Sequence, residues 1–212
     1  PKAEWPVPAG EPADYEGYYF TKWADVANAT MPASQVVITA EWAIESYTFK
    51  FNTEGGNDIA DITANFGATI TVPPDPTKTG YTFAGWNETI PTTMPDLGAD
   101  GAEKTFTASW TINEYTITFN TDGGSAVPEI KQNYGTDITA PAAPTKTGYT
   151  FAGWDKEIPA TMPAENITIT AQWTVNAYKI TFNTDGGNEI APIEQNYGTD
   201  ISKPADPTKT GY

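Results

Sequence analysis

The sequence predicts a mainly β protein, laid out as a tandem array of small modules of about 63 to 68 residues with little helix. Three observations carry that expectation. Thr occurs 34 times and Leu once, and 18 Gly with 18 Pro fill about one position in six of the 212, a strand-and-turn mixture poor in helix formers. The string Gly-Tyr-Thr-Phe-Ala-Gly-Trp stands at Gly80 to Trp86 and again at Gly148 to Trp154, with Gly-Tyr-Tyr-Phe-Thr-Lys-Trp at Gly17 to Trp23 and a last Gly-Tyr at Gly211 and Tyr212. The Gly-to-Gly spacings are therefore 63, 68 and 63. Finally, 13% aromatic residues with seven Trp argue for packed cores, although a formal charge of −16 alone would suit a disordered chain.

Each element of one module can be read in order. Tyr115, Ile117 and Phe119 alternate with Thr116, Thr118 and Asn120, the period-2 pattern of a half-buried strand; Tyr47, Phe49, Phe51 and Tyr178, Ile180, Phe182 repeat it. Asn120 to Gly124 supplies residues that tolerate positive φ, the chemistry of a tight reversal, with positive φ expected at Gly123. A second strand follows through Ile130 and Tyr134. Pro141, Pro144 and the Thr-Lys-Thr-Gly stretch then form an extended connection, because Pro neither donates to a ladder nor continues a helix. A third strand runs from Tyr149 through Phe151 to Trp154. Met-Pro follows each such Trp, at Met31, Met94 and Met162. Ile167, Ile169, Ala171 and Trp173 share one parity of a fourth strand, with Trp173 as its buried end. Its counterparts are Trp42 and Trp110, and the middle module carries a five-residue insertion within Asp96 to Lys104.

These motifs carry a family resemblance. Tyr-x-Ile-Thr-Phe-Asn, the Gly-Gly turn, Pro-Thr-Lys-x-Gly-Tyr-Thr-Phe-Ala-Gly-Trp, Met-Pro and Ile-Thr-Ile-Thr-Ala-Gln-Trp resemble the internalin B-repeat, or Listeria–Bacteroides repeat, over essentially the whole chain. The resemblance implies β-grasp-like modules strung on bacterial surface proteins, with no catalytic residues to transfer. The sequence departs from the family pattern in one respect: only seven residues separate Trp154 from Met162, which leaves at most one or two turns for the helix a β-grasp places there, so helix content should be lower than in longer family members.

Absent residues exclude whole chemistries. With no His and no Cys there is no Ser/His/Asp or Cys/His nucleophile, no imidazole or thiolate zinc site and no disulfide framework. With no Arg and 27 acids against 11 bases, nucleic acid is a poor partner. No apolar run reaches the roughly 18 to 20 residues that span a bilayer, and no secretory leader pattern opens the sequence, so a soluble segment without membrane insertion is expected. Asp155 and Glu157 form a carboxylate pair, but the second module has Asn87 where the third has Asp155, so they read as solvated surface rather than a glycosidase pair. Asp96, Asp100 and Glu103 in the insertion are a weak calcium candidate whose spacing fits no EF-hand; a plain turn insertion is the favoured reading. Lys50 and Lys179 sit at outward parity, which disfavours an isopeptide crosslink. Most aromatics occupy repeated core positions, leaving Trp5 and Tyr15 free for glycan stacking.

The expected organisation is a partial repeat at 1–46, complete repeats at 47–114 and 115–177, and a partial repeat at 178–212. The expected core is Trp23, Trp42, Trp86, Trp110, Trp154 and Trp173 with Phe51, Phe119 and Phe182. No cofactor and no catalysis are expected. The function read from this is a non-enzymatic, extracellular stalk or spacer of a bacterial surface protein or filament, elongated in solution and contributing to adhesion or head-to-tail assembly, with a glycan- or host-protein-binding module as the alternative. Two half-modules invite a choice. Either the structural unit is shifted, to 18–80, 81–148 and 149–211, or the halves of neighbouring copies complete one another through Phe182 and Ile180 against Trp23 and Trp42. The second is favoured because it keeps each strand pair and its Gly-Gly turn inside one module.

Overall fold

The computed structural model describes residues 15–24, 35 and 37–211. Among them are twelve strands and no helix: β1 Tyr18–Trp23, β2 Ala40–Ile44, β3 Ser46–Asn52, β4 Ile62–Asn65, β5 Tyr81–Trp86, β6 Glu103–Ile112, β7 Glu114–Asn120, β8 Ile130–Asn133, β9 Tyr149–Trp154, β10 Ile167–Val175, β11 Ala177–Ile180 and β12 Ile193–Asn196. The chain divides into two compact units, residues 1–111 and 112–212.

The first unit holds the β1–β2 pair and a four-stranded sheet in the order β4-β3-β6-β5. At its centre β3 and β6 run parallel, with Phe51 opposite Phe106, while β4 lies antiparallel on β3. Alternation along β3 puts Tyr47 and Phe49 inward, where both are fully buried with Phe106, Met94, Ile70 and Ile90. The Phe49 and Phe106 rings meet edge-on at 5.1 Å, the geometry their quadrupoles prefer.

The second unit repeats the plan in the order β8-β7-β10-β9 and adds the β11–β12 pair. Its core is Ile117, Phe119, Met162 and Ile169, ringed by Trp154, Ile130, Ile138 and Ile158. In the pairing of β9 with β10, Ala171 faces Trp154, Gln172 faces Gly153 and Trp173 faces Phe151, so Ala152 is an extra residue on β9. This bulge, with Gly153 at φ 121°, brings Phe151 and Trp154, three residues apart, within 5.2 Å of each other.

Both four-stranded sheets close within residues 46–112 and 114–175, while β1 pairs only with β2 and β11 only with β12. Trp154 packs on Phe119 and Trp173 on Phe151, inside their own module.

The segment before Met162, with room for at most one or two helical turns, holds none, in line with the little helix expected. Instead the segment runs extended and bonds by backbone to the strand end opposite: Gly135 N and Ile138 N donate to Met162 O and Ala160 O, and Met162 N returns a bond to Thr136 O. The first unit repeats this, with Gly67 N and Ile70 N donating to Met94 O and Thr92 O. The cause is Pro at both ends, Pro91 and Pro95 or Pro159 and Pro163, which removes donors and drives each preceding residue to extended geometry.

Candidate functional site

The acidic residues of the insertion are committed to separate structural tasks. Asp96 Oδ1 accepts from the Gly98 amide at 2.6 Å, Asp100 Oδ1 accepts from the Ser46 amide at 2.8 Å, and Glu103 pairs with Lys50 at 2.9 Å. The calcium candidate is thus split three ways, and no group of three acidic side chains close enough for a metal exists among the described residues. Asp155 Oδ1 caps the Thr170 amide at 2.6 Å, and Glu157 is exposed. Lys50 and Lys179 both lie outside the buried cores. Trp5 and Met31 lie outside the described residues. Tyr15 is 62% exposed and stacks on Tyr18 at 5.3 Å.

What repeats is a junction. Glu45 is the one residue between β2 and β3, and Asn176 the one between β10 and β11. Glu45 N donates to Gly17 O while Glu45 O accepts from Phe66 N; Asn176 N donates to Gly148 O and Asn176 O accepts from Tyr197 N. Over each pair of bonds lies an aromatic ring on a glycine. A β-carbon at Gly17 would overlap the Phe66 ring, and one at Gly148 would overlap Tyr197, so only Gly permits the contact. The repeated Gly-Tyr is therefore more than a strand start. Its signal was available: Gly17 and Gly148 keep their place in the repeat, as do the aromatic residues of Asn-Phe-Gly and Asn-Tyr-Gly at Phe66 and Tyr197.

The first unit adds a polar clamp at this junction. Glu45 is 2% exposed and accepts from the Tyr47 hydroxyl, which also lies 3.0 Å from Asp96 Oδ1. Burial, then the two carboxylates, push the Tyr47 phenol well above its ordinary range, keeping it a proton donor. Asp96 is held below its ordinary value of 3.8, first by the Gly98 amide and then by the Tyr47 hydroxyl. Gly101 N also donates to Ser46 O at 2.8 Å, so the five-residue insertion ties down the start of β3. Its role in the structure is that of a brace. In the second unit the amide of Asn113 lies 3.3 Å from the Tyr115 hydroxyl, and no carboxylate takes part among the described residues.

A second repeated device anchors the Gly-Gly turn. Asp122 and Gly123 both take positive φ, 47° and 82°, and Gly124 N closes the turn on Thr121 O at 3.0 Å. Trp173 is half-buried above this turn, not inside the core cluster where the sequence placed it, and its indole N–H donates to Thr121 O at 3.0 Å. Trp110 does the same to Thr53 O at 2.9 Å. Lys146 Nζ donates to Asp122 O at 2.6 Å and sits 4.7 Å from the Tyr149 ring centroid, which accounts for the recurring Thr-Lys-Thr-Gly-Tyr. Trp86 and Trp154 do line the cores, with Phe51 and Phe119; Trp23 and Trp42 are half-buried on the β1–β2 pair around Phe20; Phe182 is half-buried.

Between β11 and β12 the matching surface is open. Tyr178, Ile180, Ile193, Tyr197 and Ile201 line an apolar groove. Tyr178 is 53% and Ile201 59% exposed, whereas Tyr47 and Ile70, their counterparts in the first unit, are 0% and 4%.

These features define a class, a tandem β-repeat with a 2-1-4-3 sheet in each complete module and a fixed one-residue joint. The Listeria-Bacteroides repeat domain matches residues 47–112, 115–175 and 178–212, and the chain belongs to that family. It is 37% identical over 172 residues to Internalin H of Listeria monocytogenes, covering 75% of this chain and 30% of that protein. It is 33% identical over 188 residues to a protein of Evansella cellulosilytica carrying the name "Putative membrane protein", covering 84% of this chain and 28% of the relative. The chain thus spans less than a third of the length of these relatives. No helix among the described residues is long and apolar enough to cross a membrane.

Proposed function

We propose that this chain is a non-enzymatic spacer segment of a bacterial surface protein, held outside the cell, whose modules set the reach of whatever the parent protein presents. The observation that carries this reading is how the repeated residues are used. Gly17 and Gly148, Trp110 and Trp173, Lys78 and Lys146, Met94 and Met162 each serve a core, a turn or a joint, and none converges on a shared pocket among the described residues. The single-residue joints support a semi-rigid linkage inside each unit, since Glu45 and Asn176 are fixed by two backbone bonds apiece. The names of the relatives, an internalin and a membrane protein, support a cell-envelope setting.

The test is one of reach. Anchored at one end on a bacterial surface and tagged at the other, the chain should make the tag more accessible to a bulky probe as residues 47–177 are duplicated. Accessibility unchanged by added modules, together with selective retention on a glycan or protein array, would overturn the spacer in favour of a binding module.

A further inference from the structure

We propose that each complete module is built to carry tension along the chain, and that its two central parallel strands, β3 with β6 and β7 with β10, are the clamp that resists the pull. The proposal goes beyond the spacer reading, because a spacer needs length whereas a clamp resists extension, and it stands whether or not the chain sets reach.

Where the chain enters and leaves each sheet decides how a pull is felt. In the orders β4-β3-β6-β5 and β8-β7-β10-β9 the first and last strands of a module are neighbours at the centre. They run parallel, so the chain enters at the start of one, Ser46 or Glu114, and leaves from the far end of the other, Ile112 or Val175. Tension on the two ends then slides one strand past the other along their common axis. Single residues, Glu45, Asn113 and Asn176, lead from each last strand to the next first strand, so little slack separates a pull from the strands themselves.

Sliding is the direction in which such a pair is hardest to part. The slanted bonds of a parallel ladder share the load, so the pairs from Thr48 with Glu103 to Asn52 with Thr107, or from Ile117 with Ile167 to Asn120 with Thr170, must give way together. Register adds a second barrier. A slip of one residue in β6 or β10 would turn the buried Phe106 and Ala108, or Ile169 and Ala171, to the solvent face. The antiparallel β7–β8 pair is the opposite case. Pulled apart at its open end, where Glu114 and Lys131 meet at 2.7 Å, it loses its bonds one after another toward the turn.

The first module carries extra bonds across the same clamp, and the loop that holds the five-residue insertion supplies them. Asp100 Oδ1 accepts from the Ser46 amide at 2.8 Å, Gly101 N donates to Ser46 O at 2.8 Å and Thr48 N donates to Ala102 O at 3.0 Å. All three run between the start of β3 and the residues leading into β6. In the second module the Thr116 amide is held instead by Asn166 Oδ1, at 2.8 Å. Five residue pairs span the first clamp and four the second, and the Phe51 and Phe106 rings stack across the first at 5.8 Å where the second has Phe119 facing Ile169. The first module is therefore the stronger under load, because forced unfolding follows the barrier to parting these contacts.

Because the chain has no Cys, paired cysteines fix where force is applied. In the full chain, handles at Glu114→Cys and Thr174→Cys load the second clamp by sliding, and handles at Glu114→Cys and Lys131→Cys peel the β7–β8 pair. Single-molecule stretching should show a rupture force at least about twofold higher in the first geometry at the same pulling speed. Stretched from its two ends, the chain should extend by whole modules in two steps, the higher-force step releasing the longer module. Replacing residues 96–102 with the Ala-Glu of residues 164 and 165 should bring that step down to the force of the other. Asp100→Ala, a change at an exposed position that removes one of the three bonds, should lower it part of the way. Equal forces in the two pulling directions would overturn the clamp, and a higher step that neither change lowers would overturn the insertion's part in it.

Discussion

Residues 115–138 and 178–201 present the same apolar pattern and meet opposite surroundings. In the first stretch Ile117 is fully buried against Met162 and Ile169; in the second Tyr178 and Ile201 are more than half exposed around a groove. Local sequence suffices to form the hairpin in both, since β7–β8 and β11–β12 pair in the same antiparallel register, Ile117 with Ile130 and Ile180 with Ile193. Burial is a different matter. It comes from the second half of the module, through one parallel strand and one extended Met-Pro segment, so the first half is a folded hairpin whose core is supplied from elsewhere.

The sharpest way to break this comparison is to remove a methyl-rich side chain on each side of it. Ile117→Ala should cost about 2 to 5 kcal/mol and Ile180→Ala under about 1 kcal/mol, read as residue-resolved loss of amide NMR signals in urea. Equal costs would mean that the second hairpin has a core of its own.

The Gly-Gly turn gives the next largest contrast. A β-carbon at Gly124 would lie 2.5 Å from the Trp173 indole, whereas at Gly187 the nearest atoms are Thr208 O at 3.1 Å, Thr184 O at 3.2 Å and the Pro207 β-carbon at 3.6 Å. Gly124→Ala should cost about 1 to 3 kcal/mol by overpacking, more than Gly187→Ala, and its cost should shrink in a Trp173→Ala background. A penalty that is the same with and without the indole would show that backbone conformation, not the ring, fixes that glycine.

Comparing the two complete modules comes third. Tyr47→Phe leaves the buried Glu45 carboxylate without its donor and should cost about 1 to 3 kcal/mol; Tyr115→Phe, at a half-buried hydroxyl with one long contact, should cost clearly less. Equal thermal shifts for the two variants would remove the case for the brace.

The smallest effect is acidic. Because the folded Asp96 carboxyl titrates below its ordinary 3.8, its contribution is complete above that value and disappears as pH falls through the folded value. Asp96→Asn should therefore lower the melting temperature of the first unit at about pH 6 and converge with the parent near about pH 2. A constant difference across that range would assign the effect to packing instead of charge.

Much of this was legible in the sequence, for reasons that particular residues show. The strands at Tyr47, Tyr115 and Tyr178 were readable because period-2 alternation is a local property, and the positive φ at Gly123 because turn chemistry is also local. Trp173 was misplaced because its parity with Ile169 and Ala171 says which face it shares, not that the core has ended and the Gly-Gly turn begins beneath it. Low helix before Met162 was legible from the seven-residue spacing, and its complete absence follows from Pro159 and Pro163 acting together on five residues, an effect that counting room for turns does not capture. Glu45 was invisible since its burial depends on Tyr47, Gly17 and an insertion some fifty residues away.

Amide hydrogen exchange on β7 and β11 of the same chain tests most directly whether these hairpins depend on a second half for their protection. The account predicts slow exchange in β7, whose Ile117 is fully buried, and fast exchange in β11, whose Tyr178 is 53% exposed. Exchange in β11 as slow as in β7 would contradict it.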